Sequence, residues 1–302
     1  MSSSPLSADF RASFKETDVD ATIDIWFFRP LAEFLVGLLA RTSIRPNQVS
    51  FASALAGIAS GLCYYQFSYP FIVAAGLLLA FSVVLDAADG QLARRTGRGS
   101  EIGKLFDNTM DPIKATAAMF GIAFGMDAAG NWGSWPPMPT WLTVDQAIWG
   151  LGWFAGLSLP IQVVTRNYWV DHYHRHGKGR SSLTMADMAV VRVEMEALRS
   201  EKGLWLEKMV VPLLLAFAKK DPPAKPEPVA HPRYVERMRP FIRWWTMFGG
   251  AQQFFVLLVV SCFGLPILGW LYIALLGDAL YVVLFALTWR AHRQELAAAV
   301  SL

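Results

Sequence analysis

Four aspartates carry the chemistry that this sequence can do. Asp86 and Asp89 stand three residues apart, and Asp107 and Asp111 four apart, so on a helix each pair shares a face. Between the pairs run Gly90-Gln91-Leu92-Ala93-Arg94 and then the polar stretch Arg95-Thr96-Gly97-Arg98-Gly99-Ser100. The polar stretch reads as a turn, with Ser100 placed to cap a second helix. Two antiparallel helices joined there aim four carboxylates into one small volume. Such groups beside a bilayer repel one another and are costly to desolvate, and a pair of divalent cations relieves both problems. Hard oxygen ligands suit Mg2+ or Mn2+, the cations of phosphate chemistry. Gly90, Ala93 and Gly103 leave space for a ligand to approach, and Arg94 can pair with a phosphate. The plainer reading makes the four acids solvated helix caps; acids in this pattern at a membrane edge favour function.

The run from Asp86 to Asp111, Asp-x2-Asp-Gly-x2-Ala-Arg-x8-Gly-x3-Asp-x3-Asp, resembles the signature of the CDP-alcohol phosphotransferase family at all eight fixed positions. Eight defined residues at fixed gaps are a specific pattern. The resemblance implies six transmembrane helices, a homodimer and metal-dependent transfer of a substituted phosphate from a CDP-linked donor to an alcohol, with release of CMP. It implies that Asp86, Asp89, Asp107 and Asp111 hold two Mg2+ or Mn2+ ions. Asp89, Gly90, Ala93, Arg94 and Gly103 would line the cytidine-phosphate pocket, and Asp111 would be the catalytic base on the acceptor hydroxyl. Pro46-Asn47-Gln48-Val49-Ser50 also resembles the start of the family's first span.

The same signature serves two substrate arrangements. The donor can be CDP-diacylglycerol with a soluble alcohol acceptor, or a CDP-linked polar headgroup with a lipid or inositol-phosphate-type acceptor. Arg29-Pro30 and Arg45-Pro46-Asn47-Gln48-Val49 look somewhat like relatives that form inositol-phosphate or headgroup diesters. Many relatives that accept a phosphorylated alcohol carry a basic residue just after the last Asp; here Pro112 stands there, placed to kink the helix. Lys114, one turn from Asp111, and Arg166, near Gln162 and Thr165, are the candidates for an acceptor phosphate. Each has a plainer role: Lys114 snorkels to the cytoplasmic face, and Arg166 anchors the span's inner end.

The elements that must position these residues are helices in a bilayer. Of 302 residues 54% are hydrophobic, with a mean hydropathy of +0.34, which marks an all-α integral membrane protein. A formal charge of +3 gives no reason to expect a nucleic-acid partner. Cys63 and Cys262 lie in apolar runs and read as buried thiols, with no disulfide framework. Residues 1–20 are polar and carry acids, unlike a signal peptide. Residues 23–41 are apolar but interrupted by Asp24, Arg29, Pro30 and Glu33, which suits an interfacial helix.

Six spans are expected, at about 48–67, 71–94, 103–126, 146–170, 243–264 and 266–290, each near the ~20 residues that a bilayer needs. The organisation is then an N-terminal segment (1–45), four spans with the signature (46–170), a cytoplasmic helical insertion (171–240), and two spans with a tail (241–302). None of the 27 Lys and Arg residues falls in the connections after spans one, three or five. The positive-inside rule therefore places both termini and the acidic site in the cytoplasm, with a bacterial inner membrane as the expected setting. Tyr64, Tyr65, Tyr69, Trp132, Trp135 and Trp141 would then belong to the outer aromatic belt.

Within the insertion, Met188, Val191, Met195 and Leu198 follow helical spacing. Residues 204–218 are apolar but short enough to lie on the membrane, and residues 222–228 are a proline-stiffened linker. His172, His174 and His176 alternate, which as a metal cluster would need extended backbone, so a solvated basic loop is expected. Asp278, midway along the last span, is expected to make an interhelical hydrogen bond rather than line a polar path. A divalent-cation transporter is the rival class. It needs acids along a path near midplane, whereas these cluster at one end.

Overall fold

Prolines mark where the helices begin. Pro30, Pro46, Pro70, Pro232 and Pro266 each stand in a first helical turn, where a fixed φ helps and the missing N–H is not needed. The computed structural model describes residue 19 and residues 21–129, 143–179, 188–200 and 231–300, and all regular structure among them is helical. A π turn over Asp24–Phe28 leads into α1 (Arg29–Leu39). There follow α2 (Pro46–Tyr65), α3 (Tyr69–Thr96), α4 (Glu101–Ala129) and α5 (Val144–His172). The last of these continues through a π turn, Tyr173–Gly177. Then come α6 (Met188–Ser200), α7 (Pro232–Trp245), α8 (Gly250–Cys262), α9 (Pro266–Leu271) and α10 (Asp278–Val300), with a π turn, Tyr272–Gly277, joining the last two.

α2 packs against both α3 and α4; α4 also meets α5, and α1 and α8 both lie on α3. Glycines set the α2–α4 distance. A Cβ on Gly121 would stand 2.2 Å from the Gly61 carbonyl oxygen, and one on Gly125 2.4 Å from that of Tyr64. The two backbones therefore touch, the close approach that small residues spaced four apart allow between membrane helices. Around this contact the core gathers Leu79, Met119, Ile122, Leu159 and Trp270. The π turn and α1 together bury Phe28, Ala32 and Val36 at four-residue spacing and expose Trp26, Phe34 and Leu38, a one-sided pattern.

Among the described residues, three continuous helical stretches are long and apolar enough to cross a membrane: Tyr69–Thr96, Gln146–Gly177 and Pro266–Glu295. A fourth follows if Pro232–Phe248 and Gly250–Cys262, which meet at 41°, count as one broken span. The expected fifth span thus bends at its start. α2 is diluted by Asn47, Gln48, Ser50, Ser53 and Ser60, and α4 by Lys104, Asp107, Asp111 and Lys114.

Several expectations change. Tyr64 is fully buried, with its hydroxyl 2.8 Å from Ser261 Oγ, so it is a core residue; Tyr65 and Tyr69 are exposed, as a belt requires. Cys63 is half-buried and Cys262 exposed, rather than both buried. The histidine run is helical, not a solvated loop: His174 is buried, while His172 and His176 pack with His292 of α10. α5 simply continues past the expected end of its span, because Trp169, Tyr173 and Tyr234 supply an apolar seat. Trp132, Trp135, Trp141 and residues 1–18, 204–218 and 222–228 lie outside the described residues.

Candidate active site

The two helices that carry the signature are joined by a tight turn. Gly97 ends α3 in the left-handed conformation (φ 66°), with its N–H on the Ala93 carbonyl, a conformation glycine adopts without strain. Ser100 then starts α4, its Oγ accepting the Gly103 N–H at 3.0 Å, as the sequence predicts. The antiparallel pair closes one side of a cavity of about 870 Å³, completed by α2, α5, α6, the start of α8 and residue 19.

Asp86 and Asp89 on α3 and Asp107 on α4 each offer an oxygen within 4.8 Å of the other two. Ser50 of α2 donates its hydroxyl to Asp89 Oδ2. Asp111 lines the same cavity but stands outside the trio, its Oδ1 held 2.6 Å from Lys114 Nζ. Lys114 reaches Asp86 Oδ1 at 3.2 Å as well, and donates to Ser53 Oγ at 3.2 Å. Its side chain is only 3% exposed. It therefore neither snorkels to a surface nor presents a free ammonium to an acceptor; it offsets the charge of two signature carboxylates. Gly57 makes room for its stem, since a Cβ there would lie 2.4 Å from Lys114 Cγ.

Gly90, Ala93 and Gly103 all line the chamber. The Arg94 guanidinium lies over Gly90, where a Cβ would come 3.4 Å from its Nη1. A Cβ on Gly103 would be 3.0 Å from Asn47 Oδ1, so Gly103 opens the wall beside α2. Ala93 lines the cavity from α3. Arg166 enters it from α5, with Nη2 donating to the Val19 carbonyl at 2.8 Å and Nη1 to Asn167 Oδ1 at 3.0 Å. Sequence reasoning did not single out Asn47, Ser50, Ser53 or Glu194 as site residues. The first two belong to the quoted Pro-Asn-x-Val-Ser run; the other two carry no local signal.

Three convergent carboxylates are a hard oxygen donor set of the kind that fits divalent cations such as Mg2+ or Mn2+. A bound cation would relieve the repulsion among three like charges this close, of which Lys114 offsets only part.

Asp86, Asp89, Asp107 and Asp111 thus line one wide chamber together with Arg94 and Arg166. Residues 43–185 match the CDP-alcohol phosphatidyltransferase family, so the chain carries a domain of this family of transferases, with the whole signature inside it. The chain is similar to archaetidylinositol phosphate synthase of Pyrococcus horikoshii, 39% identical over 87 residues, which are 29% of this chain and 45% of that protein. It is similar to the synthase of the same name from Aeropyrum pernix, 40% identical over 83 residues, 28% of this chain and 41% of the relative. A bifunctional IPC transferase and DIPP synthase of Archaeoglobus fulgidus is 36% identical over 94 residues, 26% of this chain and 18% of that protein. The chain thus spans less than half the length of each of these relatives.

Proposed function

We propose that this protein transfers a substituted phosphate from a CDP-linked alcohol to an alcohol acceptor and releases CMP. The observation that carries the reading is the Asp86–Asp89–Asp107 cluster, with oxygens within 4.8 Å, inside the matched domain. These residues, with Asp111 beside them in the chamber, would hold Mg2+ or Mn2+. When bound, the metals would neutralise the pyrophosphate and the departing CMP. Arg94, folded over Gly90, pairs with a nucleotide phosphate, and Gly103 leaves space for it beside Asn47. Asp111 accepts the proton of the acceptor hydroxyl. The acceptor oxygen bonds to the phosphorus that carries the donor alcohol, and the bond from that phosphorus to CMP breaks. Lys114 fixes the orientation of Asp111 through its 2.6 Å contact.

The acceptor is an inositol phosphate and the donor a CDP-activated lipid. The names of the archaeal relatives support this, as does Arg166, a guanidinium that lines the chamber from α5. α2 and α4 join the longer helices to make six crossings. Their polarity is turned inward: Ser53 and Ser60 of α2 donate to the carbonyls of Ser82 and Ala75, each at 2.8 Å, as buried membrane helices require. The distribution of Lys and Arg supports a chamber and both termini on the cytoplasmic side, and the working unit is a homodimer.

The test is CMP release by purified protein in lipid micelles with Mg2+ or Mn2+. CDP-diacylglycerol and CDP-linked headgroups are offered separately against inositol phosphate, inositol, glycerol phosphate and lipid alcohols. Release with a CDP-lipid and inositol phosphate that EDTA stops is the expected result. Release only with a CDP-headgroup and a lipid alcohol reverses donor and acceptor. No release with any pair, together with cation uptake into proteoliposomes, overturns the reading in favour of transport.

A further inference from the structure

The family match ends at residue 185, and α6 begins at Met188, so α6 belongs to this chain rather than to the matched domain. It nevertheless completes the first turn of the signature helix α4. Val191 is fully buried and packs with Ile102, Leu105 and Met195. That seat delivers Glu194 to the helix end. One carboxylate oxygen accepts the Glu101 N–H at 3.0 Å and the other the Ile102 N–H at 2.9 Å. The next N–H, of Gly103, goes to Ser100 Oγ. A helix start leaves its first N–H groups without intrahelical partners and carries partial positive charge. Here two of those donors are met by a carboxylate from about ninety residues away in sequence, a charge-assisted pair. Val190 and Glu194 line the same cavity as the aspartates.

We propose that Glu194 is a positioning residue for the phosphotransfer site; this rests on the function proposed above. It acts in two linked ways. It fixes the turn that sets Gly103 and, one turn on, Asp107 against Asp86 and Asp89. It also fills a helix N-terminus that would otherwise attract a substrate phosphate away from Arg94 and the aspartates.

The experiment compares Glu194→Ala, Glu194→Gln and, as a control on an exposed position of the same helix, Glu196→Ala. Two readouts are taken: donor kinetics by CMP release, and backbone amide exchange over residues 101–103. Glu194→Ala is expected to raise KM for the CDP donor about tenfold to a hundredfold, to speed exchange at 101–103, and to recover part of its activity with added formate or acetate. Glu194→Gln, with one neutral acceptor left, falls between, and Glu196→Ala matches the unaltered protein. Unchanged donor KM and exchange in Glu194→Ala overturn the proposal, as does a loss of activity that no carboxylate relieves. If the unaltered protein releases no CMP, the functional reading fails by itself, and amide exchange still decides whether Glu194 holds this turn.

Discussion

Lys114 Nζ lies 2.6 Å from Asp111 Oδ1 and 3.2 Å from Asp86 Oδ1, so one buried ammonium ties the last carboxylate of the signature to the first. The ammonium is buried but its two carboxylates are about a third exposed, so removing it costs less than the ~3–5 kcal/mol of a fully buried pair. Lys114→Met should therefore lower the unfolding temperature in detergent, and Mg2+ should restore more stability to it than to the unaltered protein. Turnover should fall at least about a hundredfold, since Asp111 loses its orienting partner. Thermal unfolding with and without Mg2+, paired with CMP release, checks both. A stable, active Lys114→Met would show that the pair is dispensable.

Asp107 and Asp111 share α4 but stand in different surroundings. Asp107 belongs to the trio within 4.8 Å, whereas Asp111 faces Lys114. Asp107→Asn should weaken Mn2+ binding and abolish CMP release together. Asp111→Asn should stop CMP release, by about a thousandfold or more given the usual contribution of a general base, while Mn2+ still binds. Calorimetric Mn2+ titration of the two variants separates the roles; equal loss of metal affinity would make Asp111 a ligand of the same rank.

The α2–α4 contact predicts a pair of glycine substitutions with opposite outcomes. A Cβ on Gly121 would sit 2.2 Å from the Gly61 carbonyl oxygen, and one on Gly150 would meet nothing within 4 Å. Gly121→Ala must push α2 from α4, and overpacking of this kind costs roughly 1–3 kcal/mol. It should also reduce turnover, because α2 brings Ser50 to Asp89. Gly150→Ala should be neutral or slightly stabilising, as an added helix former. Melting curves in one detergent compare them directly.

The signature was legible because eight residue types at fixed gaps force one local geometry: two helices, a Gly97 turn, a Ser100 cap. The helical class followed from composition, and an interfacial α1 was expected from an apolar run broken by Asp24, Arg29, Pro30 and Glu33. What was not legible depends on chain separation. Tyr64 reads as a belt residue until Ser261, 197 positions away, meets its hydroxyl. Lys114 reads as a snorkel or a phosphate ligand because the Gly57 gap that admits its stem lies on another helix. The alternation of His172, His174 and His176 suggested a loop, since alternation on a helix scatters side chains to different faces. The structure does scatter them, burying His174 and pairing the other two. Glu194 gave no signal, because a cap supplied from another helix has no local spacing.

Asp278 begins α10 directly after the π turn at Tyr272–Gly277 and faces inward as expected. Ser158 Oγ donates to its Oδ1 at 2.5 Å and Gln162 Nε2 at 2.8 Å, while Gln253 Nε2 donates to Gln162 Oε1 at 2.8 Å. Three helices, α5, α8 and α10, are thereby joined by one chain of polar groups. Asp278→Asn keeps an acceptor oxygen and should leave both stability and CMP release near their original values. Asp278→Leu removes the acceptor and strands buried donors on Ser158 and Gln162, a loss of about 1–3 kcal/mol, read as a lower melting temperature. Donor KM should not move, because neither Asp278 nor Gln162 lines the chamber. A polar path for cations predicts the reverse: Asp278→Asn would change function while leaving stability intact. Measuring KM and melting temperature on both variants therefore separates a structural link between helices from a second functional route through them.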